Sequence, residues 1–450
     1  MAELPQNWIE IKLKHLIKFV IGGDWGTEKP SISNSERVAV IRGTDYKYWN
    51  KIRAKEAAIR YVKKSSLEKR QLNIGDIVLE ISGGGPTQPV ARTIVIDKYA
   101  IESNKCNLIC SNFFRKISLK PSINPAYLNF YCQYAHKIGL FNDFQTQTTN
   151  LRNLNFNDFI NNVFIPIPPE NEQFKIINKL DKIISKIDDV NTRLDKIPTA
   201  LKRARQSILN QAITGELTKD WRKKNNKEFL SKTVKLSEAC ELLNGYAYKS
   251  NTYVTDSNNM VIRLGNVKNN KILLDAKPVF IPNNIATETE RFKIQENDIL
   301  ITLTGTRYKR DYLYSALVTS TDLAENNLYI NQRVGCFRVK EGCLPQYLNI
   351  LLKTQNFLDV AFELETGNVN QGNIGTTNLK DIEIDIPDIK EQAEIIHRVK
   401  LAFEKLDKIE SRYQKTKEYS DKLTQSILNK AFRGELVPQD PNDSPIKIPE

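Results

Sequence analysis

Ser207-Ile208-Leu209-Asn210-Gln211-Ala212-Ile213-Thr214-Gly215-Glu216-Leu217 returns as Ser426-Ile427-Leu428-Asn429-Lys430-Ala431-Phe432-Arg433-Gly434-Glu435-Leu436. Eight of these eleven positions are identical, at an offset of 219. The same offset relates Ile165-Pro166-Ile167-Pro168 to Ile384-Asp385-Ile386-Pro387, and Glu172-Gln173 to Glu391-Gln392. A segment of about fifty residues is thus repeated without an insertion. Solenoid repeats are far shorter, roughly 20–50 residues. A period this long means two copies of a domain-plus-helix unit, hence internal pseudo-twofold symmetry suited to a target with two halves.

Immediately before the first copy of the motif, Ile176, Leu180, Ile183, Ile187, Val190, Leu194 and Ile197 follow alternating spacings of four and three. This is a heptad seam. Pro198 predicts a break or kink, with a second helical stretch from Ala200 to Ile213 ending near Gly215. The second seam is Ile395, Val399, Ala402, Leu406, Ile409 and Tyr413. Lys417 stands where the first copy has Pro198, so this helix is expected to run straight through.

The regions between the helices read as mixed α/β. Val38-Ala39-Val40-Ile41, Ile77-Val78-Leu79-Glu80-Ile81 and Thr93-Ile94-Val95-Ile96 are strand-like. Pro125 to Ile138 reads as a helix with Asn124 at its cap. Val261-Ile262-Arg263 echoes Val40-Ile41-Arg42, Asp298-Ile299-Leu300-Ile301 echoes Asp76-Ile77-Val78-Leu79, and Tyr347-Leu348-Asn349 echoes Tyr127-Leu128-Asn129. Offsets drift there, and the intervening sequence differs. The expected organisation is a globular region over 1–165, a helical region over 166–218, a second globular region over 219–386, a second helical region over 387–436 and a tail over 437–450. The helices repeat closely and the globular regions only in outline. The helices therefore do one job twice, and the globular regions do similar jobs on different targets.

The 450 residues suffice for two or three domains, each with its own core. A net charge of +13 and a pI near 9.2 favour a polyanionic partner, nucleic acid first. The basic residues are spread along the chain, which argues against a membrane surface. Cys106, Cys110, Cys132, Cys240, Cys336 and Cys343 form no CxxC pair and have no histidine at ligand spacing, so neither structural zinc nor a disulfide framework is expected. The opening residues carry no signal-peptide apolar stretch, no run approaches 18 apolar residues, and the expected location is cytoplasmic.

No phosphate-binding GxxxxGK[ST] loop is present, His15, His136 and His397 are scattered, and no nuclease-like carboxylate cluster stands out. Asn124-Pro125-Ala126-Tyr127 nearly matches the motif with which adenine methyltransferases grip a base. Its counterpart Leu344-Pro345-Gln346-Tyr347 cannot do that, and helix capping accounts for the first copy better.

The layout resembles the specificity subunit of type I restriction–modification systems. The resemblance covers nearly the whole chain. It begins at Leu4-Pro5-Gln6-Asn7-Trp8, includes the proline-rich start of the helix from Pro166 to Gln173, and is strongest at Ser207 to Leu217 with Trp221-Arg222, and at Gln425 to Leu436. One departure is that Asp220-Trp221-Arg222 has no counterpart after Leu436. The resemblance implies an α+β chain of two α/β target-recognition domains in pseudo-twofold tandem repeat, separated by two long helices forming an antiparallel coiled coil. Each domain would read one half of a split sequence in double-stranded DNA. The coiled coil would set the gap and dock two methylation subunits. S-adenosylmethionine, ATP and Mg2+ would sit on the methylation and restriction subunits, and this chain would bind no cofactor and catalyse nothing itself. A coiled-coil DNA-binding scaffold without sequence preference, and a DNA-modifying enzyme with an unrecognised motif, are the competing readings.

The geometry agrees. A helix of about 27 residues from Glu170 to Lys196 is about 40 Å long, and one turn of DNA is about 34 Å. Candidate DNA-reading residues lie in loops: Gly84, Thr87, Gln88 and Arg92 in the first domain, Thr306, Arg307, Lys309 and Arg310 at the matching place in the second. Arg42 and Lys47, with Arg263 and Lys268, form a second matched set. Arginine pairs bidentately with guanine and Asn or Gln with adenine, while Lys and Arg also neutralise phosphate without reading sequence. A solvated surface charge accounts for any one of them equally well. The Asn- and Gln-rich stretches 145–150 and 368–373 read as polar turns before the last strand, with adenine recognition the alternative.

Overall fold

The computed structural model describes residues 4–85, 88–147, 151–368 and 370–447. The chain forms two compact units, Met1–Leu194 with Lys415–Glu450, and Asp195–Gln414. Each unit therefore contains one globular region and parts of both helical regions.

The two units repeat one architecture. In the first, a four-stranded antiparallel sheet has the order Ile17–Gly22, Phe114–Leu119, Ile77–Glu80, Thr93–Val95. In the second, the order is Cys240–Asn244, Val334–Val339, Ile299–Thr302, Ser315–Leu317. Beside each sheet lies a parallel pair, Glu36–Ile41 with Asn107–Cys110, and Asn259–Ile262 with Asn327–Ile330. Every residue of Ile77–Glu80 and of Ile299–Thr302 is buried. Both faces of these strands are covered, which is why Ile77-Val78-Leu79 and Ile299-Leu300-Ile301 read as apolar runs rather than alternating ones, each closed by a buried polar residue, Glu80 or Thr302. The first strand of each globular region pairs antiparallel with the last: Ile9–Lys12 with Phe164–Ile167, and Ser231–Lys235 with Glu383–Pro387.

The helix Pro125–Lys137 starts as its sequence predicts. The Asn124 side chain accepts a hydrogen bond from the Ala126 N–H at 2.9 Å, and Pro125 occupies the first turn. Tyr127 is fully buried and its hydroxyl donates to the Pro166 carbonyl at 2.7 Å. Tyr347 repeats this with the Asp385 carbonyl at 2.9 Å. The Asn-Pro-Ala-Tyr stretch is thus a capped helix whose tyrosine faces the core.

The first helical region breaks as expected, into Glu170–Leu194 and Ile197–Ile213, with Pro198 in the first turn of the second piece. Ile389–Phe432 is one helix of 44 residues. Within each unit the helical segments pair antiparallel. In the first, Lys179 donates to the Leu436 carbonyl at 2.8 Å and Ser420 to Asn191 at 3.1 Å, so one number rises as the other falls. In the second, Arg205 reaches Asp407 at 2.7 Å and Glu410 at 2.8 Å, while Arg398 donates to the Leu217 carbonyl at 2.9 Å.

Ile176, Leu180, Leu428 and Phe432 belong to the core of the first unit, as Ala212, Ile395 and Val399 do to that of the second. Ile187 is also buried, whereas Ile183, Leu194 and Leu406 are half-buried. Val190 and Ile409, which stand 219 positions apart, are 47% and 46% exposed. A straight helix drifts by about 20° per heptad against a 3.5-residue repeat. A stripe that starts in the core therefore turns toward solvent after two or three heptads. No helix among the described residues is long and apolar enough to cross a membrane.

Candidate nucleic-acid interface

In each unit the candidate loop emerges from the end of the central strand and is held by a small three-stranded sheet. Ser82–Gly84 pairs with Arg152–Leu154, which pairs with Gln145–Gln147. Thr304–Gly305 pairs with Gln371–Asn373, which pairs with Thr366–Asn368. The described parts of the Asn- and Gln-rich stretches, 145–147, 368 and 370–373, therefore lie in or beside paired strands next to the candidate loop of their own unit, while 148–150 and 369 lie outside the described residues. Matching side-chain bonds tie the strands: Ser82 to Asn153 at 2.6 Å, and Thr304 to Asn373 at 3.4 Å. The Gln145 side chain is occupied within the fold, accepting from the Val90 N–H at 3.0 Å and donating to the carbonyls of Val90 and Phe141. Gly84 is required by close approach, since a Cβ there would lie 2.3 Å from the Gln88 carbonyl oxygen.

Behind the loops the two backbones coincide and the side chains differ. Ala91 and Leu313 both adopt positive φ, 74° and 61°. Ala91 N–H donates to the Glu80 carbonyl, and Leu313 N–H to the Thr302 carbonyl. The neighbours at these equivalent places are Arg92 with Glu80 in one unit and Tyr314 with Thr302 in the other. Arg92 grips Glu80 through two bonds of 2.7 and 2.5 Å, and its guanidinium lies 5.2 Å from the centre of the Tyr46 ring. The hydrogen bonds to Glu80 hold the Arg92 pKa above its ordinary value. In the second unit the Lys268 ammonium lies 5.9 Å from the Tyr314 ring centre. Glu80 was not among the sequence candidates. Its signal is a carboxylate inside the apolar run 77–81, where an unpaired charge is too costly to bury.

The remaining candidates divide into anchored and exposed. Arg42 caps the turn Gly43–Tyr48, bridging Asp45 at 2.9 Å and donating to the Glu56 carbonyl at 2.6 Å. In the second unit the Arg263 guanidinium donates to the Lys277 carbonyl at 2.6 Å, and Asn266, in place of Asp45, accepts from the Arg263 backbone N–H at 3.0 Å rather than from its side chain. Both arginines are thus used by the scaffold. Arg307 donates to the Gly367 carbonyl at 2.9 Å and packs on Tyr308. Arg310 reaches Asp359 at 2.5 Å. The Thr306 N–H is bound by Asp311 at 2.7 Å. Gln88, Lys268, Tyr308 and Lys309 are exposed at these loops. With its amide oxygen turned toward Arg92, Gln88 accepts from that guanidinium at 3.0 and 3.2 Å. Thr87 and the Lys47 side chain lie outside the described residues. No group of three or more His, Cys, Asp or Glu able to hold a metal occurs among the described residues.

A second repeated feature fastens each globular region to its helix. Gln173 and Gln392 are both fully buried. Gln173 accepts from the Asn124 N–H at 2.9 Å and donates to the Pro168 carbonyl at 3.2 Å. Gln392 accepts from the Leu344 N–H at 2.7 Å and donates to the Pro387 carbonyl at 2.8 Å. The adjacent carboxylates are satisfied differently. Glu172 accepts from the Trp8 indole at 3.0 Å and from Gln439 at 2.6 Å. Glu391 accepts from Thr218 at 2.6 Å and from Arg222 at 2.5 Å. The place that Thr218 and Arg222 take beside Glu391 is thus taken beside Glu172 by Trp8 and Gln439.

The family described as Type I restriction modification DNA specificity domain matches residues 5–199 and 230–418. The Type I restriction enzyme EcoKI specificity subunit of Escherichia coli (strain K12) is 30% identical over 284 residues, covering 63% of this chain and 59% of that one. The EcoBI specificity subunit of Escherichia coli is 27% identical over 306 residues, covering 62% and 60%. The chain thus spans about 60% of the length of these curated relatives. A solved structure described as "Structural basis underlying complex assembly and conformational transition of the type I R-M system" shares the fold, with a TM-score of 0.63 at 16% identity over 97% of this chain and 100% of that chain. The family matches twice, once over each globular region with the helix that follows it, and the two matches together take in most of the sequence: the chain belongs to the type I restriction modification DNA specificity family.

Proposed function

We propose that this chain is the DNA sequence-specificity subunit of a type I restriction–modification complex, each globular region reading one half of a bipartite target. The observation that carries this reading is the substitution of Thr302 and Tyr314 for Glu80 and Arg92 on a shared backbone. A common frame with different side chains beside the loops suits two half-sites of different sequence. The net charge of +13 supplies the attraction to DNA phosphate. The closely repeated helices set the gap and dock two methylation subunits. Those subunits carry S-adenosylmethionine and flip the target adenine, and restriction subunits carry the ATP- and Mg2+-dependent cleavage.

The test is methylome sequencing of cells co-expressing the chain with its methylation subunit. The expected result is a split motif with a fixed gap and methylated adenine on both strands. Exchanging residues 1–165 for another recognition domain should change one half of that motif only. Lengthening the helix Glu170–Leu194 by whole turns should change the gap and leave both halves intact. A stable complex with no motif would overturn this reading in favour of a scaffold without sequence preference, and methyl transfer by the chain alone would mean an enzyme.

A further inference from the structure

The first unit carries an open cleft of about 700 Å3 between residues 22–27 and the helix Lys64–Arg70. None of the candidate DNA-reading residues lines it. Its wall is Gly23-Asp24-Trp25-Gly26. A Cβ on Gly23 would lie 2.1 Å from the Ser111 carbonyl oxygen. Gly26 has φ +65°, and a Cβ there would lie 2.5 Å from the Tyr61 carbonyl oxygen. The turn is therefore wedged against backbone at both ends, in positions only glycine fits. Between the glycines Trp25 stays 38% exposed, with the Arg60 guanidinium 4.4 Å from its ring centre.

The floor of the cleft is closed by its own hydrogen bonds. Asp24, the one carboxylate in the lining, accepts from the Gly26 N–H at 3.0 Å and from Ser66 at 2.5 Å. Arg70 donates to the Gly22 carbonyl at 2.9 Å and to Ser66 at 3.3 Å. The rim is different. Lys63, Ser65, Lys69 and Asn112 are exposed. Arg42, Arg53, Arg92 and Lys116 of the same unit are each paired with a carboxylate. Among the described residues, Lys63 and Lys69 have no carboxylate within the 4.0 Å of an ion pair. Two unpaired ammonium groups with a hydroxyl and an amide, over a floor whose acid is already satisfied, match the chemistry of a phosphodiester.

The cleft also adjoins the candidate interface. Asn112 lines the cleft, and the next residue, Phe113, accepts from the Ile81 and Ser82 N–H groups at 2.9 and 3.3 Å, where the glycine loop begins. The cleft is thus tied through Phe113 to Ser82, two positions before Gly84. We propose that this cleft binds the DNA backbone beside the half-site of the first unit, through Lys63 and Lys69. This deepens the specificity-subunit reading and rests on it for the identity of the polyanion. The contact adds affinity and register and reads no base.

The test compares the full-length chain, in complex with its methylation subunits, with the double variant Lys63→Gln, Lys69→Gln. Both side chains are exposed, so the variant is expected to keep the wild-type unfolding midpoint. Binding is measured over a salt series on a duplex carrying the methylome target and on one with that site scrambled. Losing two phosphate contacts should reduce the slope of log affinity against log salt by about 1.8. It should weaken both duplexes alike, by roughly tenfold or more near 0.1 M salt, with the target-to-scrambled ratio unchanged. An unchanged slope on both duplexes would overturn the cleft assignment. A changed ratio would overturn it too, since it would make the lysines readers of sequence. A wild-type ratio of one would instead defeat the specificity reading, and the slopes would still decide whether the cleft holds phosphate.

Discussion

The Gln173 side chain accepts the backbone N–H of Asn124 at 2.9 Å across 49 positions of sequence. This joins the start of the long helix Glu170–Leu194 to the residue that caps Pro125–Lys137. The same amide closes on the Pro168 carbonyl, so a single buried glutamine satisfies the N–H of the Asn124 cap and a carbonyl of the proline-rich turn. Gln173→Ala leaves both without partners, and a loss of about 2–4 kcal/mol is expected. Gln392→Ala should cost a similar amount in the second unit. Chemical denaturation measures both; a change below about 0.5 kcal/mol would show that water replaces the glutamine.

Arg222 and Trp8 present a graded comparison. Both donate to a buried glutamate at the start of a long helix, but one is a cation and the other a neutral indole. Glu391 is 1% exposed, and removing Arg222 leaves its charge facing Thr218 alone. Arg222→Met is expected to cost about 3–5 kcal/mol. Trp8→Phe removes one N–H while Gln439 still serves Glu172, so about 1 kcal/mol is expected from the lost bond, with a packing term added. The double variant Arg222→Met, Glu391→Gln should recover part of the first loss. Unfolding midpoints that rank Trp8→Phe as the more damaging change would contradict this account.

Arg42 and Arg263 are matched basic residues whose side chains are spent on the scaffold. Arg42→Ala and Arg263→Ala should therefore lower stability by about 1–3 kcal/mol and leave the methylated motif unchanged. Lys309→Ala, at an exposed loop position, should do the reverse, weakening DNA binding with little change in unfolding. A motif altered by Arg263→Ala at wild-type stability would return that residue to the reading set.

These cases also show what the sequence could and could not supply. The duplicated unit, the break at Pro198, the unbroken second helix and the capped helix after Asn124 were legible, because each depends on local backbone chemistry or on identical residues at a fixed offset. The pairing of Arg92 with Glu80, and the strand pairings that bring the described parts of the Asn- and Gln-rich stretches beside the candidate loops, depend on residues 12 to about 70 positions apart. One sequence does not encode which of many polar residues meet at such range. Val190 and Ile409 are the instructive case among the helices. Their spacing fits the seam, yet rotation of a straight helix carries them outward. Periodicity specifies a stripe; the partner decides how far along the helix it stays covered.

Lys353 gives a pH-dependent prediction. Its amine donates to the side chains of Asn349 and Asn270, at 2.7 and 2.5 Å, and burial pushes its pKa down to about 7 from 10.5. A base whose pKa is lower in the folded than in the unfolded state binds its proton more weakly when folded. Between about pH 7 and 10.5 the unfolded chain therefore holds more protons at this group, and stability rises with pH across that window. Below pH 7 both states carry the charge and the burial penalty is fully present. Lys353→Met removes the titrating group while keeping most of the side-chain volume, and the Asn349 oxygen still accepts from Ser315 at 3.0 Å. Urea midpoints of the native chain and the variant, followed from pH 6.5 to 9.5, should converge from an advantage for the variant at the acid end. Other titrating groups are common to both proteins and cancel in the difference. Parallel curves would mean that the two amide oxygens stabilise the ammonium as strongly as water does, and that Lys353 stays charged in the folded chain.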